Sequence, residues 1–254
     1  MVNQGKGGGE QGGGSRKLTV KLRTAKGRKV GSTRWLQRQL NDPYVEEAKR
    51  RGYRSRAAFK LTEIDDRYRF LKPGMVVLDL GAAPGGWSQI AAERVGSAQG
   101  KGQVLAVDVS PIEPLPGVEV LTQDVSANDA PAAIRGALKG GRADVVLSDM
   151  AAPATGHRST DHLRVVALVE AALDLAADVL KPGGSFLAKV FQGGAGGELV
   201  ARLKRSFAKV HHVKPKASRK ESPEVYVLAT GFSRRIAKGP RQGGGPSVRS
   251  CRAG

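Results

Sequence analysis

Seven short apolar runs, separated by segments with helical spacing, constrain this chain more than any other feature. MVVLDLG (75–81), GQVLAVDVS (102–110), VEVLTQDV (118–125), ADVVLSDM (143–150), GSFLAKVF (184–191), KVHHVKPK (209–216) and EVYVLATGF (224–232) read as strands. Between them, WSQIAAERV (87–95), APAAIRGALKG (130–140), TDHLRVVALVEAALDLAADVL (160–180) and GGELVARLKRSF (196–207) read as helices. A further helix, SRAAFKLTEIDDRY (55–68), precedes the first strand, with Ser55 as its expected N-cap. Strand–helix alternation predicts an α/β fold with a parallel, doubly wound sheet and helices on both faces.

Sheets of this kind bind ligands outside the carboxyl ends of their strands. Four carboxylates stand there: Asp79 in the first run, Asp108 at the end of the second, Asp124 at the end of the third and Asp149 at the end of the fourth. Any one of them alone would serve as a turn or cap residue. The first run ends in DLGAAPGGW, whose Gly81, Gly85 and Gly86 depart from G-x-G-x-x-G, with Pro84 in the loop. That departure weakens a pyrophosphate-cradling reading, while the glycines still allow a ligand close to the backbone. Asp108, 27 residues after Gly81, is spaced to accept both hydroxyls of a ribose. Asp124 is then available to an adenine amino group. A cofactor with ribose and adenine but no phosphate, S-adenosylmethionine, fits best. A nicotinamide dinucleotide and a purely structural βα turn remain the alternatives.

One residue conflicts with its surroundings. Lys189 interrupts the apolar run Phe186–Gln192, and a charge inside a sheet costs several kcal/mol unless it is paired. Asp149, on the strand expected beside it, and Glu224, at the start of the last strand, are the candidate partners. Lys60, within AAFKL, is a second cation expected to reach the same place. Desolvation and a neighbouring cation would favour a neutral Lys189 able to take a proton; the two carboxylates would favour an ammonium that stabilises a developing alkoxide. Sequence leaves both open.

The set Lys60, Asp149, Lys189 and Glu224 resembles the K-D-K-E tetrad of RNA ribose 2′-O-methyltransferases. The blocks SRAAFKL, VLDLGAAPGGWSQ, LSDMAAPATG, LAKVFQG and SPEVYVLATGF, in this order, resemble the FtsJ/RrmJ (RlmE) family of bacterial 23S rRNA uridine-2′-O-methyltransferases over residues 40–232. The resemblance implies a Rossmann-like, seven-stranded S-adenosylmethionine-dependent methyltransferase sheet with an antiparallel last strand. It implies cofactor contacts at Gly85, Trp87, Asp108, Asp124 and Asp149, with Lys189 as the proton acceptor. The implied substrate is 23S rRNA in the assembled large ribosomal subunit.

Charge distribution divides the chain. The net charge is +19, with +9 on residues 1–38 and +6 on 233–254, leaving +4 on 39–232. Both ends are Gly-rich and short of apolar residues, so they are expected to be disordered arms flanking a catalytic domain at 39–232. Such arms meet polyanions, or else act as solubilising tails. In KRRGYRSRAAFK, residues Lys49, Arg50, Arg51, Arg54 and Arg56 are candidates to neutralise phosphates, and Tyr53 to stack on a base. A solvated helix face is the plainer alternative. Cys251 is the single cysteine, and the four histidines have no companions in metal-ligand spacing, so no metal is expected. No 18-residue apolar run and no signal core are present, which points to a cytoplasmic protein without membrane contact, expected to act as a monomer. Two rival functions stay open: a non-catalytic RNA-binding or assembly factor on the same fold, and a 2′-O-methyltransferase for tRNA or an mRNA cap.

Overall fold

The structure is a computed structural model that describes residue 36 and residues 39–152, 155–192 and 197–233. The chain divides into two units, residues 1–46 and 47–254. The basic arm expected over 1–38 and the tail expected over 233–254 lie, apart from residues 36 and 233, outside the described residues. Helix α1 (Pro43–Arg50) begins in the first unit. Asp42 and Pro43 explain where it starts: the Asp42 carboxylate accepts the Tyr44 amide at 3.1 Å, and proline suits a first helical position.

In the second unit one sheet runs in the order β3-β2-β1-β4-β5-β7-β6. Its strands are β1 (Val76–Leu80), β2 (Gln103–Asp108), β3 (Val118–Thr122), β4 (Ala143–Ser148), β5 (Leu180–Phe191), β6 (Phe207–Val213) and β7 (Glu224–Phe232). β1 to β5 pair in parallel, and β7 runs antiparallel between β5 and β6. Helices α2 (Ala57–Tyr68), α3 (Gly86–Val95), α4 (Ala130–Ala137), α5 (Arg158–Val179) and α6 (Gly197–Ser206) cover it.

Strand alternation separates two cores. Leu78, Leu80, Val146, Phe186 and Ala188 pack with Ile134 of α4, Val169 and Leu173 of α5 and Leu203 of α6. Val77, Leu147, Leu187, Tyr226 and Leu228 pack on the opposite face with Leu61 and Ile64 of α2 and Ile90 of α3. Burial on both faces is why β1, all five residues of which are buried, reads as a continuous apolar run. Among the described residues no helix is long and apolar enough to cross a membrane.

Several boundaries differ from the sequence reading. β5 begins at Leu180, not near Gly184, because Ala143 pairs with Leu180 before the register shifts to Val145 with Ser185. Residue 207 belongs to β6, not to the preceding helix, and β6 ends at Val213. Ser55 is not the cap of α2. Arg56 holds that position in αR geometry without a side-chain cap bond, and the Ser55 hydroxyl is packed where a Cβ on Gly86 would sit.

Candidate active site

The carboxyl ends of β1 to β4 frame a cleft of about 340 Å³ lined by Gly81, Asp108, Asp124, Asp149, Met150 and Leu168, among others. Gly81 has φ 70°, and a Cβ there would lie 2.9 Å from the Met150 Cα, so only glycine lets the turn after β1 run against the chain leaving β4. Asp108 holds its own surroundings: Oδ2 accepts the Ala83 amide at 2.9 Å and Oδ1 the Ser110 amide at 2.8 Å. Each oxygen keeps a further lone pair for a ligand. Asp124 Oδ1 accepts both the Ser126 hydroxyl at 2.6 Å and its amide at 2.8 Å. The hydroxyl bond first, and then the amide bond, hold the Asp124 carboxyl below its usual range.

Three of the five residues expected to meet a cofactor, Asp108, Asp124 and Asp149, thus line one cleft, while Gly85 and Trp87 stand apart from its lining. Gly85 caps α3 at φ 105°, and a Cβ on it would meet Leu115 Cδ1 at 2.7 Å. Trp87 is 2% exposed; its indole N–H donates to the Ala57 carbonyl at 2.9 Å, and its ring lies 5.6 Å from that of Tyr226. Its side chain ties α3 to α2 and packs behind the tetrad.

The four residues expected for catalysis come together on the α2 side of the sheet. Lys189 follows Leu187 by two positions and therefore shares its face. Its Nζ lies 2.6 Å from the Asp149 carbonyl oxygen and 3.0 Å from Asp149 Oδ1, and the residue is 7% exposed. Lys60, on α2, reaches Glu224 Oε1 at 2.7 Å. The pairing therefore differs from the expectation that both carboxylates would hold Lys189: the register sets Lys189 opposite Tyr226 and Glu224 opposite Phe191, two residues further along.

Tyr226, which sequence reasoning missed, joins the two pairs. Lys60 Nζ donates to its hydroxyl at 3.1 Å, and the hydroxyl donates to Asp149 Oδ1 at 3.0 Å. Burial, then the charges of Asp149 and Glu224, push the Tyr226 phenol well above its ordinary value and keep it a neutral donor. Ser218 donates to Glu224 Oε1 at 2.9 Å. Burial pushes the Glu224 carboxyl up, but Lys60 by charge and hydrogen bond, Lys189 by charge and Ser218 by hydrogen bond outweigh it and leave it below the usual range. The result is one chain of contacts, Ser218–Glu224–Lys60–Tyr226–Asp149–Lys189. The missed signal was the two-residue spacing of Glu224 and Tyr226, which puts both on one face of one strand.

Much of the basic run before α2 is committed within the fold. Arg50 and Arg51 both pair with Glu47, and Arg56 donates to the Ala217 carbonyl. Tyr53 packs edge-on against Phe59 at 5.4 Å. Arg54 bridges two loops beside the cleft, donating to the carbonyls of Pro84 at 3.2 Å, Glu113 at 2.6 Å and Pro114 at 2.7 Å. Arg54→Ala is expected to lower stability by about 1 kcal/mol. Thermal melting checks this. Arg54→Lys should recover little, because an ammonium cannot reproduce the fork.

Comparison with known proteins adds independent findings. The family described as FtsJ-like methyltransferase matches residues 53–232. Ribosomal RNA large subunit methyltransferase E of Paramagnetospirillum magneticum is 61% identical over 222 residues, covering 87% of this chain and 91% of that protein. The protein of the same name from Parvibaculum lavamentivorans is 55% identical, covering 92% of this chain and 96% of that one. The crystal structure of a ribosomal RNA methyltransferase from Plasmodium falciparum matches with a TM-score of 0.63 at 30% identity, covering 71% of this chain and 98% of that chain.

Proposed function

The chain belongs to the FtsJ-like methyltransferase family, and on that premise we propose that it transfers the methyl group of S-adenosylmethionine to the 2′-oxygen of a uridine in 23S rRNA of the large ribosomal subunit. The observation that carries this reading is that Asp149 both lines the strand-end cleft and holds Lys189. One residue thereby fixes the distance between the place for a methyl donor and the group that meets a hydroxyl. A ribose hydroxyl is a weak nucleophile, so positioning the two reactants supplies much of the rate. The sulfonium cofactor supplies the electrophilic methyl. Asp108 accepts its ribose hydroxyls and Asp124 its adenine amino group. Lys189, with two of its three hydrogen-bonding directions taken by Asp149, turns the third to the 2′-hydroxyl; once that third proton has left to solvent, the neutral amine accepts the hydroxyl proton on the freed lone pair. Lys60, Glu224 and Tyr226 hold Asp149 in place. Any contact from Gly85 or Trp87 comes from the backbone, since both stand apart from the cleft's lining and the Trp87 side chain is engaged elsewhere. The domain at 39–232 does this chemistry in the cytoplasm, and the basic ends add phosphate contacts.

The test is to incubate the protein with S-adenosylmethionine and large subunits from a strain lacking its gene, then map 2′-O-methylation across the rRNA. One newly protected uridine is expected. Cofactor binding without any methylation would favour a non-catalytic assembly factor, and methylation of tRNA alone would replace the substrate. In the same preparation, Asp108→Ala should weaken S-adenosylmethionine binding by about 1–3 kcal/mol in calorimetry. Unchanged affinity in the folded variant would remove Asp108 from the site.

A further inference from the structure

Arg50, Arg51, Arg54 and Arg56, the arginines expected to meet RNA, are engaged within the fold. A second basic segment lies elsewhere in the chain. KPKASRKESP, at 214–223, joins β6 to β7 and carries four basic residues and one acidic one. The network described above uses only its Ser218. Burial alternates along it: Pro215, Ala217 and Ser218 are buried, while Lys214, Lys216 and Lys220 are exposed. Connecting loops are as a rule solvated and weakly held. This one is pinned at several points.

α2 does most of the pinning. Arg56, which opens the helix, and Lys60 and Glu63 within it recur at helical spacing and lie along one stripe. Arg56 donates to the Ala217 carbonyl. Glu63 accepts the amides of Lys216 at 2.5 Å and of Ala217 at 3.2 Å. Between them, Lys60 reaches Glu224, to which Ser218 also donates. At the neck of the loop, Lys214 Nζ donates to the carbonyls of Lys220 at 3.3 Å and Ser222 at 2.8 Å. A loop that served only solubility would need no such tether. Here the backbone is held against the helix that carries Lys60, while the side chains of Lys216 and Lys220 stay in water. The points from which these two cations extend are therefore set before any partner arrives, which lowers the ordering cost of binding.

We propose that the 214–223 loop is a docking rail for the ribose-phosphate backbone of the RNA substrate, in which Lys216 and Lys220 neutralise phosphates beside the reacting nucleotide and Glu63 is the positioning residue that holds the rail against α2. This rests on the methyl-transfer reading given above. RNA suits the rail better than an acidic protein because Ser218 ties the loop to the network that meets the ribose hydroxyl, and the phosphates flanking that ribose arrive with it. Phosphate contacts of this kind set register and carry no base preference.

The test is Lys216→Gln combined with Lys220→Gln. KM for large subunits from the strain lacking the gene should rise roughly tenfold near physiological salt, with kcat and S-adenosylmethionine affinity unchanged. On a labelled 23S rRNA transcript the log–log salt slope of binding should fall by about 1.4, at roughly 0.7 for each lost contact. Lys72→Gln with Lys101→Gln removes the same charge from exposed positions ahead of β1 and β2, at the opposite end of the sheet, and should change neither quantity. Equal effects from the two double variants would mean a diffuse field and overturn the proposal. Glu63→Ala keeps every cation and frees the loop, so KM should rise with the slope unmoved; an unchanged KM there overturns it too. A raised KM on subunits with no change of slope on the protein-free transcript would put a ribosomal protein on the loop and overturn the RNA assignment. If the unmodified protein methylates no RNA at all, the reading of function falls. If it does and the lysine variant matches it, the rail alone falls.

Discussion

Lys189→Met is expected to abolish methyl transfer, a loss of at least about a thousandfold if proton acceptance and positioning both go, while leaving S-adenosylmethionine affinity within a few-fold of wild type. Methionine matches the length of lysine and tolerates the apolar strand between Ala188 and Val190. The cleft residues Asp108 and Asp124 are untouched by the change. Asp149 keeps its bond from the Tyr226 hydroxyl. Lys189→Arg then separates two chemistries. Arginine retains the charge but cannot be deprotonated, so a proton acceptor makes this variant as inactive as methionine. Substantial single-turnover activity in Lys189→Arg, flat from about pH 6 to pH 9, would leave Lys189 only an electrostatic role.

Asp149→Ala is expected to lose both stability and activity. It strips a buried ammonium of its carboxylate and leaves Lys189 with the backbone carbonyl of residue 149, an effect of about 3–5 kcal/mol for breaking one side of a buried pair. Tyr226 loses its acceptor as well. The double variant Asp149→Ala with Lys189→Met removes both charges together. It should melt well above Asp149→Ala alone while remaining inactive, because the coupling between the two positions is large and the single effects do not add. Additive denaturation energies would mean that the pair is not coupled as the 3.0 Å contact indicates.

The parts of this architecture that could be read in the sequence are those set by local pattern. β1, β2, β4 and β5 declared themselves because parallel strands buried on both faces leave apolar runs, whereas the half-exposed β3 and β6 and the antiparallel β7 were marked by β-branched and aromatic residues. Lys189 was visible because it broke such a run, and the aspartates because strand ends are where such sheets bind ligands. Partnership was not local. That Glu224 holds Lys60, not Lys189, depends on a two-residue offset in an antiparallel register that no single strand encodes. Tyr226, within EVYVLATGF, looks like any core aromatic until the fold brings Lys60 and Asp149 to its hydroxyl. Arg54 looked like a phosphate ligand because its carbonyl partners lie at Pro84, Glu113 and Pro114, far away in the chain. The start of α1 was readable in principle: an Asp-Pro pair at 42–43 is a helix opening, though the apolar spacing after it is too short to stand out.

The reversal of β7 bears on when the enzyme can first act. Because β7 runs against β5, its beginning lies at the same edge of the sheet as the ends of the parallel strands. Glu224 and Tyr226 therefore join a site whose other members, Lys60, Asp149 and Lys189, are all made earlier. Among the described residues β6 pairs only with β7, so this edge of the sheet cannot close until β7 has inserted between its neighbours. A chain still emerging during synthesis, or one cut short before Glu224, holds Lys60 and Asp149 without the residue that connects them. Pairing across so many intervening residues is slow relative to local structure. Assembly of the contacts that run from Lys60 to Lys189 thus waits for residues 224–232, and a copy without them has the strand-end cleft but not the network beside it.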